Sequence, residues 1–234
     1  MSAQRLINVL FQMILLLVPW AIRRIILCSV FNYEIDRTAR IRCAVIFAKR
    51  LKMGPKSRIG NFVICKPIDQ LVMGEDAAIG ALTYITGISN PHPYYYRHMK
   101  SRKCELILEK GACITGRHYV DCSCGIYVGA FTTIAGLRSQ LMTHSLDVYH
   151  CRQGGAPITI GKYCFIGTQC ILLPGATIPE YSILGAGSLV NKSLPDAKRL
   201  YAGVPAVERK VLDVEHIPWM SRTNSNAEYL DHNT

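Results

Sequence analysis

One stretch of this chain carries groups that could move a proton. Thr143-His144-Ser145-Leu146-Asp147 sets an imidazole beside a hydroxyl and three residues ahead of a carboxylate. A neutral imidazole, with an ordinary pKa of about 6.5, can take a proton from a hydroxyl near neutral pH and so act as a general base. The plainer reading of His144 is a solvated loop histidine, and that reading also suits His150, six residues on. Cys122 and Cys124 stand as C-x-C with no second pair at zinc-finger distance, so a structural zinc site is not expected.

A reactive group needs a frame, and the frame here is written as a period. Steps of six from residue 160 give Ile160, Ile166, Leu172, Ile178, Leu184 and Val190, all aliphatic. Steps of six from residue 164 give Cys164, Cys170, Ala176, Ser182 and Ser188, all small. Glycine often follows the aliphatic residue, as at Gly161, Gly167 and Gly185. The unit recurs upstream as Met53-Gly54 to Ser57, Met73-Gly74 to Ala77 and Ile79-Gly80 to Thr83. Leu108, Ile114, Val120 and Ile126 keep the step before a slip of two restarts it at Val128-Gly129. A period of six fits neither a helix nor an uninterrupted strand. It fits short strands joined by tight corners, with the aliphatic residue inward and the small residue where a corner crowds the interior. Glycine would supply the unusual backbone angles of the corner. With three faces to a coil of about 18 residues, stacked coils bury a continuous aliphatic column.

Two segments break the phase. One is 90–103, with Tyr94, Tyr95, Tyr96, Arg97, His98 and Lys100; the other is 137–157, which holds His144. A solenoid can eject loops at a corner without disturbing its stack, and such loops carry function. The aromatic and basic groups of 90–103 suit a glycan or an anionic head group, and equally a plain surface loop. Composition agrees with a packed chain: 234 residues, 50% hydrophobic and 18% charged, which excludes a disordered charged tail. A net charge of +11 bears on partners rather than fold. The ten cysteines, several at small-residue positions, read as reduced thiols of a cytoplasmic protein.

The stretch PITIGKYCFIGTQCILLPGATIPEYSILGAGSLVNKSL, followed by AGVPA, resembles the hexapeptide-repeat acyltransferase superfamily. Within it the chain looks like the sugar O-acetyltransferase branch, similar to maltose, galactoside and exopolysaccharide (colanic acid type) acetyltransferases. The resemblance runs over about 41–210 and is strongest over 121–206. It implies an all-β fold, a left-handed parallel β-helix with an N-terminal apolar helix. The hand comes from the resemblance, since parallel crossovers are ordinarily right-handed.

The resemblance also implies a reaction. A sugar hydroxyl attacks the thioester of acetyl-CoA directly, and His144 is the base. Asp147 either orients the imidazole or binds acceptor hydroxyls. Backbone amides near Gly167 and Thr168 hold the oxyanion. Gly185 and Ala186 leave room for the pantetheine arm, while Lys192, Arg209 and Lys210 meet the CoA phosphates. Val207 stands where a basic residue usually follows AGxPA, which puts one phosphate contact in doubt. Lys192 reads equally as an ordinary exposed lysine. Phe165, often Trp in the relatives, would form a flat apolar wall or sit as a solvent-facing hydrophobe between coils. The coil HYVDCSCGIYVG, 118–129, resembles the one facing the active site in polysaccharide acetyltransferases, making His118 and Asp121 expected acceptor contacts; a corner-capping role suits Asp121 equally. No metal is required.

Two other classes remain. A γ-type carbonic anhydrase shares the fold and holds zinc with three histidines, for which His118, His144 and His150 are candidates at poorly matching spacing. A non-catalytic β-helix scaffold is the other.

Residues 6–22 are free of charge and are followed by Arg23-Arg24. They could form a helix in the membrane interface with the arginines at head groups, a short spanning or re-entrant anchor, or a cap on the open end of the stack. The expected organisation is a membrane-contact segment over 1–40, the β-helix over 41–210 and a polar tail over 211–234. The expected partners are a glycan or a nucleotide- or lipid-linked sugar, a membrane surface and two further copies in a homotrimer, with no nucleic acid. The expected location is the cytoplasmic side, peripheral to or anchored in the inner face of the cell membrane.

Overall fold

In the computed structural model, which describes residues 10–223, the period closes into coils. The start of the apolar segment, 6–9, and the end of the tail, 224–234, lie outside the described residues. All six aliphatic residues from Ile160 to Val190 and all five small ones from Cys164 to Ser188 are at most 1% exposed. Each buried aliphatic side chain contributes roughly 1.5–3 kcal/mol, so the column is the main source of stability. Ile166 pairs with Leu184, eighteen positions on, and with Ile134, thirty-two back, because an ejected loop lies between.

The corner glycines act differently from expectation. Gly129, Gly161 and Gly167 do not adopt the left-handed conformation; a Cβ on Gly161 would lie 2.5 Å from the backbone nitrogen of Glu180 in the next coil. Close approach of coils demands them. The left-handed backbone falls instead on the residue ahead of each small position, such as Tyr163 (φ 55°), Gln169 (56°) and Tyr181 (56°), at roughly 1–2 kcal/mol each. Gly175 and Gly187 take that place ahead of Ala176 and Ser188.

The strands lie on three faces. Face 1 holds Glu105–Leu108, Ile126–Val128, Ile158–Ile160 and Thr177–Ile178. Face 2 holds Cys113–Ile114, Thr133–Ile134, Phe165–Ile166 and Ile183–Leu184. Face 3 holds Tyr84–Thr86, Tyr119–Asp121, Gln140–Met142, Ile171–Leu172 and Leu189–Val190. Neighbouring coils pair in parallel throughout. The long strand Ile64–Met73 runs round a corner and pairs on both face 3 and face 1. This is the parallel β-helix that the period predicts.

The first end is closed by the apolar segment. Residues 10–15 are helical, and α1 (Trp20–Phe31) follows. The first coil has no neighbour beneath it, so its backbone groups need other partners. Arg23, 5% exposed, donates to the carbonyls of Arg42 and Ala44, each at 2.8 Å. Gln12 donates to the Ile46 carbonyl at 2.6 Å and accepts from its N–H at 2.9 Å. Arg24 donates to the Ile35 carbonyl at 2.7 Å. Leu15 and Leu27 join the core. The capping reading is therefore the one seen, and the two arginines serve strand ends rather than an outer surface. Leu10, Met13, Ile14, Leu17, Ile22, Ile25 and Val30 face outward. No helix among the described residues is long and apolar enough to cross a membrane.

Candidate active site

His144 opens the strand His144–Asp147, which pairs antiparallel with Arg152–Gly155 to form a hairpin ejected between face 3 and face 1. Its imidazole is about a third exposed, and Nδ1 lies 3.1 Å from Oδ1 of Asp121. Nδ1 is enclosed, and this contact is not at hydrogen-bonding angle. Catalytic hydrogen bonds of unliganded sites are often misaligned and tighten when substrate binds. Asp121 itself is 4% exposed. Its carboxylate accepts from the Ser123 N–H at 3.1 Å and the Ser123 hydroxyl at 3.2 Å, and the single hydrogen of the Thr143 hydroxyl lies between the carboxylate Oδ1, at 3.0 Å, and the Asp121 backbone carbonyl, at 2.8 Å. The Thr143 hydroxyl in turn accepts from the Cys124 N–H at 2.9 Å. A buried carboxylate held by Ser123 and Thr143 stays in place, and it offers an imidazole both orientation and a counter-charge. Gly155, opposite His144, has no room for a Cβ, which would meet the Cys124 sulfur at 2.5 Å.

Two expectations change here. Asp147 sits three residues along the same strand, and a strand's period of two puts it on the opposite face from His144. Its carboxylate meets His150 Nδ1 at 2.8 Å and Arg152 Nε at 3.2 Å instead. The partner of His144 is Asp121, whose burial also removes it from direct contact with an acceptor. His118, expected to touch acceptor, is 2% exposed. It occupies the small-residue position of its own corner, four after Ile114 and next to the left-handed Arg117 (φ 65°), as the hexad phase could have shown. The Ser139 N–H donates to its Nδ1 at 3.2 Å, and Nε2 faces the Thr115 hydroxyl at 2.9 Å. Burial lowers its pKa. The candidate zinc trio therefore does not converge: His118 is enclosed, and His144 and His150 face separate carboxylates.

The residues expected to hold the acyl donor gather elsewhere. Gly167, Thr168, Gly185 and Ala186 stack at the corner between face 2 and face 3. The Gly167 N–H donates to the Leu184 carbonyl at 2.8 Å, so it is not available to an oxyanion. The Thr168 N–H donates to no carbonyl among the described residues. Ala186 is exposed, and a Cβ on Gly187 would meet nothing within 4 Å, so this corner is an open ledge. Lys192 and Lys210 are exposed. Phe165 is not a free wall, because Trp219 packs edge-on against it at 5.6 Å. Leu137 rests on Thr168, with its N–H 3.1 Å from the Thr168 hydroxyl. From Leu137 to His144 the chain crosses the width of face 3, about 20 Å. Within one chain the base and the ledge stand at opposite edges of that face.

Arg102 escaped sequence reasoning altogether. It is 6% exposed and donates to the carbonyls of Ile88, at 2.6 Å, and Ser123. Its guanidinium stacks on the Tyr96 ring at 4.2 Å. It thereby ties the ejected loop 90–103 to the coil that holds Asp121. Burial pushes the Tyr96 phenol up to about 12, so it stays protonated. Nothing in a basic loop marks one arginine as buried, so no local signal could have found it.

Repeat and fold together define a hexapeptide-repeat β-helix, and the curated sequence relatives are acetyltransferases. A Staphylococcus aureus protein provisionally named an acetyltransferase is 39% identical over 72 residues, 30% of this chain and 36% of the relative. The galactoside O-acetyltransferase of Escherichia coli is 45% identical over 58 residues, 24% of this chain and 28% of that enzyme. The chain thus matches about a third of these relatives' length. Among solved structures, a hexapeptide transferase family protein of Anaplasma phagocytophilum superposes with a TM-score of 0.46 at 18% identity, over 80% of this chain and 84% of that one. No family model matches.

Proposed function

We propose that this chain transfers an acetyl group from acetyl-CoA directly to a sugar hydroxyl of a surface polysaccharide or lipid-linked glycan. The observation that carries the proposal is the imidazole of His144 set 3.1 Å from a buried carboxylate held by Ser123 and Thr143, on a hairpin thrown out of an otherwise regular stack. A sugar hydroxyl is a weak nucleophile at neutral pH. His144 takes its proton as it attacks the thioester carbon, and Asp121 supports the imidazolium that forms. The tetrahedral oxyanion is held by backbone amide, CoA leaves as the thiol, and the imidazole returns the proton. Asp121 is a positioning residue, and no step requires a metal.

Separation of base and ledge across face 3 favours a homotrimer in which His144 of one copy works against the corner of the next. Face 3 supports this with an outward row in unbroken register: Ile64, Tyr84, Tyr119, Gln140, Ile171 and Leu189. Ile64 is 48% exposed, Tyr119 38% and Ile171 37%. Likewise the outward apolar side of the N-terminal cap, followed in the chain by the exposed Arg37, Arg40 and Arg42, suits peripheral contact with an anionic membrane surface.

The test is thiol release from acetyl-CoA with a panel of sugars. His144→Ala should lower kcat/KM by about 10³ and Asp121→Asn by about 10², both while CoA binding measured by calorimetry is retained. Full turnover in the His144→Ala protein would sink the proposal.

A further inference from the structure

We propose that the two ejected loops together form a subsite for an anionic group, a phosphate or pyrophosphate borne by the acceptor sugar; this deepens, and rests on, the transfer reading above. A pocket of about 440 Å³ lies between loop 90–103 and the hairpin of His144, within the range that takes a sugar phosphate or a nucleotide sugar. Leu146 and Gln153 of the hairpin line it. They are opposite one another in the register, two residues from His144 and Gly155, and so share the face that carries His144. Two residues of strand place the pocket about 7 Å from the base, one sugar ring away.

Its chemistry is one-sided. Arg97, His98 and Arg152 line it together with Tyr94 and Tyr95, and no Asp or Glu does. Arg152 shares the Asp147 carboxylate, but Arg97 makes no ion pair among the described residues. Another cavity, of about 580 Å³, supplies the contrast. It too is basic, but it holds two carboxylates: Lys49 meets Asp69 at 2.7 Å and Lys103 meets Glu105 at 3.8 Å, while Arg50 bonds the Gln70 side chain and Arg102 bonds backbone carbonyls. Unanswered guanidinium and imidazole beside exposed aromatic faces fit a phosphate attached to a ring. The loop is also built to stay. Arg102 anchors its far end, and His92 stacks on Tyr95 at 4.8 Å while its Nδ1 accepts the N–H groups of Tyr94 and Tyr95.

The experiment titrates galactose, galactose 1-phosphate, UDP-galactose and inorganic pyrophosphate into the full chain by calorimetry, with CoA in excess so that the donor ledge is filled. The phosphate-bearing probes should bind at least tenfold tighter than galactose, and Arg97→Ala should weaken them about tenfold. UDP-galactose binding more tightly than galactose 1-phosphate supports a nucleotide-linked acceptor, and equal binding supports phosphate recognition alone. Galactose binding as tightly as its phosphate, no binding by any probe, or anion binding untouched by Arg97→Ala overturns the subsite. Failure of the transfer reading shows differently, as absence of His144-dependent CoA release alongside intact anion binding.

Discussion

Face 2 and face 3 of the stack are built from the same repeat, yet one is covered and the other bare. On face 2 the chain returns after its last coil and lays the short helical turn Pro218–Ser221 over Phe165. Arg222, 2% exposed, stacks on Trp219 at 3.5 Å. It donates to the carbonyls of Trp219, at 2.8 Å, and Phe131, and to the Thr133 hydroxyl at 3.2 Å. Burial lowers its pKa to about 10, so it remains a cation at neutral pH. Beside it Phe131, Tyr163 and Tyr181 stack at 5.0 and 5.2 Å. Face 3 has a comparable row of outward side chains, and no part of the described chain returns to cover it. A repeat specifies what points inward; what an outward row does depends on whether something else reaches it.

The strongest way to break this contrast is to charge the bare face. Ile64→Glu with Ile171→Glu should change the stability of a single chain by less than about 1 kcal/mol, since both sites are partly exposed. If the proposed trimer forms through this face, it should become monomers by light scattering and the proposed acetyl transfer should be lost with it. An unchanged mass would show that face 3 is not the contact between copies. The covered face should answer the other way. Arg222→Ala strips several buried carbonyl and hydroxyl partners at once and should cost about 3 kcal/mol, lowering Tm by about 10 °C with no change in mass. A Tm that does not move would show the strap unfolding apart from the stack.

The smallest effect sharpens the comparison inside the stack, between its enclosed histidine and its half-exposed one. His118 has a lowered pKa when folded, so the unfolded chain binds its proton first as pH falls. Stability from this site is therefore full above the ordinary histidine pKa of about 6.5 and declines as pH drops below it. His118→Gln keeps a donor and an acceptor in place and should flatten the decline of Tm between about pH 7 and pH 5. An identical slope in both proteins would show that other groups carry it.

What was legible follows from what repeats. Each hexad position meets the same neighbours in every coil, so the inward residues from Ile160 to Val190, the three-faced stack and the two ejected loops could be read from residue order alone. The same phase places His118 inward, although its residue type draws attention to chemistry. His144 drew attention because it stands in a break of the period and because its Thr-His-x-x-Asp loop resembles that of sugar O-acetyltransferases. The contacts that finish the molecule join segments that no period relates. Asp121 meets His144 because adjacent coils bring positions 23 apart in the chain to 3.1 Å. Arg23 and Gln12 answer carbonyls of a first coil that lacks a neighbour, Arg102 binds a loop to a corner, and Arg222 straps a face. In each case a polar side chain answers a buried backbone group or lies against a buried carboxylate. Such demands arise only once the stack exists, because in an extended chain water satisfies them all.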